Sequence, residues 1–224
     1  MTVTMPFLIN IYGEMHIWHV QDLKRKDNMD NRITFKQYRN VDLFIFSLIT
    51  AVGEGIATFA TSRWFVGQPM AISITLALIL IAMHRWSGFA AVIAVVGGAT
   101  FCLASSASPE QFLIYCGGNV FALVSLVFFK LLTKSRVRES FLLILAFSST
   151  AYLAMALGRW LLSLPFGAGF TELIGFLVSD VLSLLFAVLI LWSCRSVDGL
   201  IEDQKAYLFR LERERQKEAY GDEE

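Results

Sequence analysis

Six predominantly apolar stretches, at roughly residues 41–61, 69–84, 87–105, 111–132, 139–160 and 171–194, most constrain what this chain can fold into. A helix needs about 20 mostly apolar residues to cross the hydrocarbon core of a bilayer. Breakers separate the stretches: RWFVGQP, HRWSG, SSASPEQ, KSRVRE and SLPFGAGFTE, in chain order. Only 17% of the residues are charged, against about 25% in a typical soluble domain, and the charge is concentrated at the two ends. The fold class expected is all-α: a polytopic membrane protein, a six-transmembrane-helix bundle. The second stretch is short and the turn at Ser87-Gly88 is tight, so stretches two and three are expected to form an antiparallel helical hairpin.

Positive charge sets the orientation, because Lys and Arg favour the cytoplasmic side. Of the 19 basic residues, all but Arg63 and Arg159 fall in the two tails, beside Arg85, or around the connection after the fourth stretch. Both termini are therefore expected in the cytoplasm. Trp64, Trp86, Trp160 and Trp192 fall near span ends, where interfacial tryptophans belong. Three parts are expected: a basic N-terminal extension (1–40), the six-helix domain (41–197) and a charged C-terminal segment (198–224). In the last, Leu200, Tyr207, Leu208 and Leu211 recur at helical spacing. It reads either as an amphipathic helix on the membrane or a partner, or as a solvated helix end. The first 40 residues show no signal-peptide pattern, and both Met1 and Met29 are possible starts.

Several function classes fall away. Net charge is zero, so no nucleic-acid partner is expected. There is no phosphate-binding glycine loop and no nucleophile–base set, so neither an enzyme nor a cofactor is expected. Cys102, Cys116 and Cys194 form no CxxC pair and read as small core residues. His16 and His19 lack further ligands, so no metal site is expected.

The informative residues are polar ones inside the apolar stretches. Glu54 lies about seven residues below the outer end of its span, Asn119 about eight, Tyr152 about seven and Asp180 about nine, or roughly 10–14 Å deep. Intramembrane ionisable groups face the bundle interior or a wet cavity and mark ligand or ion paths. The pattern suggests an outward-facing solute site lined by Glu54, Asn119, Tyr152 and Asp180, with Arg63, Gln68 and Arg159 at its mouth. Trp64, Phe65, Trp160 and Phe166 would supply its walls. With no basic residue counted at their depth, at least one of the two carboxylates is expected to be protonated. Asn119 and Tyr152 also suit plain helix–helix contacts. Small residues form a second pattern: Ser47, Ala51 and Gly55, beside Gly53, Ala57 and Thr61. Such rows let helices approach closely, either within the bundle or against another membrane subunit.

Together, the six spans, the Ser47/Ala51/Gly55 row, the TSRWFVGQP loop after the first span and the hairpin over residues 67–105 resemble the S components of energy-coupling-factor transporters. These are the substrate-binding membrane subunits that capture vitamins or related micronutrients. The resemblance covers roughly residues 41–197. It implies an outer solute cavity with a lid after the first helix, and docking through Ser47, Ala51 and Gly55 onto a transmembrane T component. Two cytoplasmic ATPases would supply the energy. Two other readings of the same residues are a membrane scaffold of a cell-envelope assembly and a stand-alone ion- or proton-coupled carrier using Glu54 and Asp180.

Overall fold

A computed structural model describes residues 34–64, 71–197, 200–201, 203–204, 206–210 and 213. The chain divides into two compact units, Met1–Tyr38 and Arg39–Glu224. In the first, the described residues are 34–38, where Thr34 and Gln37 cap a helix reciprocally. The Thr34 amide donates to Gln37 Oε1 (2.8 Å), and the Gln37 amide donates to Thr34 Oγ1 (3.3 Å).

No strand occurs among the described residues. In chain order the α-helices are α1 (Phe35–Trp64), α2 (Thr75–Trp86), α3 (Ala91–Ala104), α4 (Pro109–Val120), α5 (Val127–Leu131), α6 (Lys134–Glu139), α7 (Phe141–Ser163), α8 (Phe170–Ser179) and α9 (Val181–Cys194), with short 3-10 turns between several of them. The start of α4 is written in its sequence. Ser108 and Gln111 form a capping box with Pro109 at the first helical position.

Four helical runs are long and apolar enough to cross a membrane: Phe35–Trp64, Thr75–Ala104, Pro109–Leu131 and Phe141–Phe166. A fifth is Phe170–Ser179 with Val181–Cys194, a pair bent by 41° at Asp180. Thr75–Ala104 is not a single rod. A Cβ added at Gly97 would lie 2.2 Å from the Thr75 side chain, whereas a straight helix would hold these residues roughly 33 Å apart. The chain reverses over Ser87–Ala90, with Ser87 at φ 52°, so α2 and α3 lie side by side. The first helix of the expected hairpin begins at Thr75 rather than near residue 69, and the sixth stretch is two helices rather than one. In both cases local hydropathy is continuous while the backbone is interrupted.

The core is apolar and centred on α2, α7 and α9, with Leu76, Ile79, Leu80, Met83, Phe147 and Leu191 essentially buried. Backbone approach is closest where α4 meets its neighbours. A Cβ at Gly98 would lie 2.8 Å from the Tyr115 backbone, and one at Gly118 would lie 2.8 Å from the Arg159 backbone. Helix α1 buries a single stripe, Leu43, Phe46, Thr50, Glu54 and Thr58. Its other faces carry exposed Phe44, Leu48, Val52, Ile56 and Phe59. In water such a face would be a large apolar patch; against lipid tails it needs no cover.

Basic groups gather at one end. Asp42 of α1 accepts from Arg85 Nε (2.9 Å) and Nη2 (2.7 Å) and from the Trp86 indole. Arg85 also donates to the Leu200 carbonyl (3.2 Å), Arg138 to the Ile201 carbonyl (3.4 Å), and Lys134 to the His84 carbonyl (2.9 Å) and to Asp203 (2.8 Å). Ile201 and Gln204 are buried. The beginning of the C-terminal segment is thus folded onto this basic end; most of residues 211–224 lie outside the described residues.

Candidate functional site

Midway along the bundle the apolar core is crossed by a polar layer. Its first part is Glu54, 1% exposed on the buried stripe of α1. Facing it is the segment Ala71–Ser73, which has no regular secondary structure and leads through Ile74 into α2. The N-cap of α2 is Ile74, whose side chain cannot cap. Glu54 does so from another helix. Its Oε2 accepts from the Ile74 and Thr75 amides (3.1 Å each) and from the Ser73 and Thr75 hydroxyls (2.8 Å each). A helix start leaves amides unsatisfied and carries partial positive charge; a carboxylate answers both.

The same segment is held from its other side by the break between α8 and α9. The Ala71 amide donates to the Ser179 carbonyl (2.9 Å), and the Ser73 amide donates to Ser183 Oγ (2.9 Å). The break residue is Asp180, 6% exposed, and its carboxylate takes a hydrogen bond from Arg159 Nη1 of α7. Arg159 also donates from Nε (3.0 Å) and Nη2 (2.7 Å) to Asn119 Oδ1, and its guanidinium lies 4.6 Å from the Tyr115 ring centroid. Asn119 Nδ2 in turn reaches the Ala94 carbonyl (3.3 Å). Tyr152 donates to the Leu177 carbonyl, bracing the last turn of α8 just before the break.

These positions correct two expectations. Arg159 does not stand at a cavity mouth: it is 5% exposed, because α7 continues beyond it to Ser163 and then through a 3-10 turn. The carboxylates are not without a basic residue at their depth, since Arg159 pairs with Asp180. The structure brings Asn119, Arg159 and Asp180 into one hydrogen-bonded group and joins Glu54 to it through Ala71–Thr75. It does not bring in Arg63, whose guanidinium lies 5.3 Å from the Phe59 ring on the same helix, or Trp64, which is 76% exposed. Gln68 and Phe65 lie outside the described residues. Ser47, Ala51 and Gly55 are half-buried, and a Cβ on Gly55 would touch Thr100 of α3 at 3.9 Å.

Several residues of the layer escaped the sequence reading: Ser73, Thr75 and Ser183, which carry the link, and Tyr115, which stacks on Arg159. Small hydroxyl residues are common in membrane helices, so only their convergence marks them out. A cleft of about 280 Å³ opens at the end of the bundle opposite the basic cluster, between α4, α7 and α8. Gln111, Tyr115, Ser163, Phe166, Glu172 and Phe176 are among its lining residues. Tyr115 connects the two regions, with its ring against Arg159 and its edge in the cleft.

No family model, no curated protein and no solved structure matches the chain. What stands is a class: an all-helical protein whose several long apolar helices are compatible with a membrane location.

Proposed function

We propose that the chain is a multi-pass membrane protein that captures a small solute from the outer side of the membrane for uptake. Counting both arms of the α2–α3 hairpin and the bent α8–α9 pair, the chain makes six passages, with the basic end and both termini in the cytoplasm. One observation carries the reading over a scaffold. Two stretches of irregular backbone, Ala71–Ile74 leading into α2 and the α8–α9 break at Asp180, meet inside the bundle and share hydrogen bonds. Irregular backbone at membrane depth is tolerated where it is buried in protein or lines a cavity, and transporters place binding sites at such breaks. A scaffold needs neither break. We place the solute at the cleft above Tyr115, where Tyr115, Phe166 and Phe176 offer aromatic surface and Gln111, Ser163 and Glu172 offer polar groups. A vitamin-like micronutrient, a T component and two ATPases belong to this proposal through the family resemblance alone, as does docking on Ser47, Ala51 and Gly55.

The test is mass spectrometry of small molecules that co-purify with the detergent-solubilised protein. A discrete compound should accompany the wild type and fall at least tenfold with Tyr115→Ala/Phe176→Ala. A compound retained in full by that variant, or none from wild-type protein across growth media, removes the cleft as the capture site. Orientation is tested by cysteine labelling: Ser106→Cys should react from outside and Ser135→Cys should not. External labelling at position 135 overturns the topology.

A further inference from the structure

Among the described residues, two carboxylates are buried in the bundle, Glu54 and Asp180, and of these one has a counter-ion. Asp180 is paired with Arg159. No basic side chain lies within ion-pair distance of Glu54 among the described residues. All four donors to Glu54 converge on Oε2, which leaves Oε1 with no hydrogen-bond partner among those residues. One turn further along the same buried stripe, Thr58 is 8% exposed, and its Oγ1 is buried without a hydrogen-bond partner. Thr50, on the same stripe one turn before Glu54, shows the usual solution, donating to the Phe46 carbonyl at 2.7 Å; Thr58 does not follow it. Side chains four apart on a helix are neighbours, with Cβ atoms about 5–6 Å apart. A buried hydroxyl that lacks a partner therefore lies one helical turn from a buried carboxylate that no basic side chain pairs with among the described residues.

We infer that Glu54 binds a small monovalent cation, a proton or a sodium ion, at the start of α2, with Thr58 Oγ1 as a further oxygen ligand where the ion is sodium. The charged groups facing it exert little net field. Arg159 of α7 is the described basic group whose charge reaches Glu54, and Asp180 at the α8–α9 break already cancels it. The segment Ala71–Thr75 presents the hydroxyls of Ser73 and Thr75, and α3 presents Thr100 near Gly55. A lone carboxylate at this depth is costly. Hydrogen bonds from four neutral donors spread its charge without removing it, whereas a bound cation removes it. Glu54 holds Ser73–Thr75, and Ser73 and Ala71 hold the α8–α9 break. Occupancy at Glu54 is thereby transmitted to the second interrupted helix.

The experiment is thermal unfolding of the full-length protein in detergent micelles, followed by tryptophan fluorescence. Sodium chloride is titrated against choline chloride at constant ionic strength, and pH is varied from 5 to 9 in choline. If sodium is the ion, Tm rises saturably with sodium and not with choline, and Thr58→Val weakens the apparent affinity at least tenfold. If it is a proton, Tm is indifferent to sodium and falls as pH rises past the point where Glu54 deprotonates, and Thr58→Val has little effect. In either case Glu54→Gln flattens the dependence. If Glu54→Gln does not accumulate, equilibrium binding of radioactive sodium and the infrared carbonyl band of a protonated carboxyl, both on wild-type protein, replace it. A wild type indifferent to sodium and pH, or an equal dependence in Glu54→Gln, overturns the inference. The readout is the cation and not the solute, so this result and that of the capture proposal are independent.

Discussion

Glu54 and Asp180 are both carboxylates buried in an apolar bundle, and the fold accommodates them in opposite ways. Asp180 is met by a full opposite charge, Arg159, which Asn119 and the Tyr115 ring hold in place. Glu54 is met by dipoles alone: two amides and two hydroxyls at the start of α2. The difference shows what each contributes. An ion pair locks two helices in one register, because removing either partner strands a charge. A carboxylate held by neutral donors organises a backbone segment yet keeps its charge state adjustable. The first is a brace and the second is a clamp.

The comparison is broken most severely by Arg159→Met. It leaves Asp180 unpaired and Asn119 Oδ1 without its donors, and the expected destabilisation is about 3–5 kcal/mol, read by denaturant unfolding in micelles. The double variant Arg159→Met/Asp180→Leu should recover most of that loss, since replacing a whole buried pair is often nearly neutral. If the double variant is as unstable as the single one, the pair is not the brace described here. Next in size is Glu54→Leu, which strips the acceptor from four donors. About 2–3 kcal/mol is expected, given roughly 1–3 kcal/mol per stranded buried donor and the freedom of the two hydroxyls to re-aim. Gly118→Ala should cost about 1–3 kcal/mol through overpacking, because the added methyl meets the Arg159 backbone, whereas Gly175→Ala meets nothing within 4 Å and should be silent. Smallest is Lys134→Ala at the basic end. Its partner Asp203 is 37% exposed at the side chain, so about 0–1 kcal/mol is expected.

Much of this layer could be read from the sequence because polar residues are conspicuous in apolar runs: Glu54, Asn119, Arg159 and Asp180 were all singled out. Their partnership could not be read, for physical reasons. Counting depth from the ends of a hydrophobic run assumes that the helix fills the run. Hydropathy does not register that α2 starts only at Thr75 or that the sixth run breaks at Asp180, since the interrupted backbone is satisfied by distant groups and not by neighbours in sequence. The reading that puts Arg159 at a rim fails for the same reason: the helix carrying it outlasts the apolar run by one turn. Once buried, it becomes the counter-ion that the count denied. The hairpin was easier, since a tight Ser87-Gly88 turn between two apolar arms leaves few alternatives.

The pairing of Arg159 with Asp180 also has a consequence for biogenesis. Arg159 is synthesised before its counter-ion, which follows 21 residues later. At translation speeds of about 5–20 residues per second the interval is roughly 1–4 s. In the proposed topology, α7 enters the membrane, or waits at the insertion machinery, during that interval with an unpaired guanidinium. Asn119 is already made by then. Its amide oxygen, which accepts from two of the Arg159 nitrogens in the finished fold, is a partner that Arg159 can meet before Asp180. The order of the chain therefore makes the Asn119 amide available to the Arg159 guanidinium before Asp180 can neutralise it.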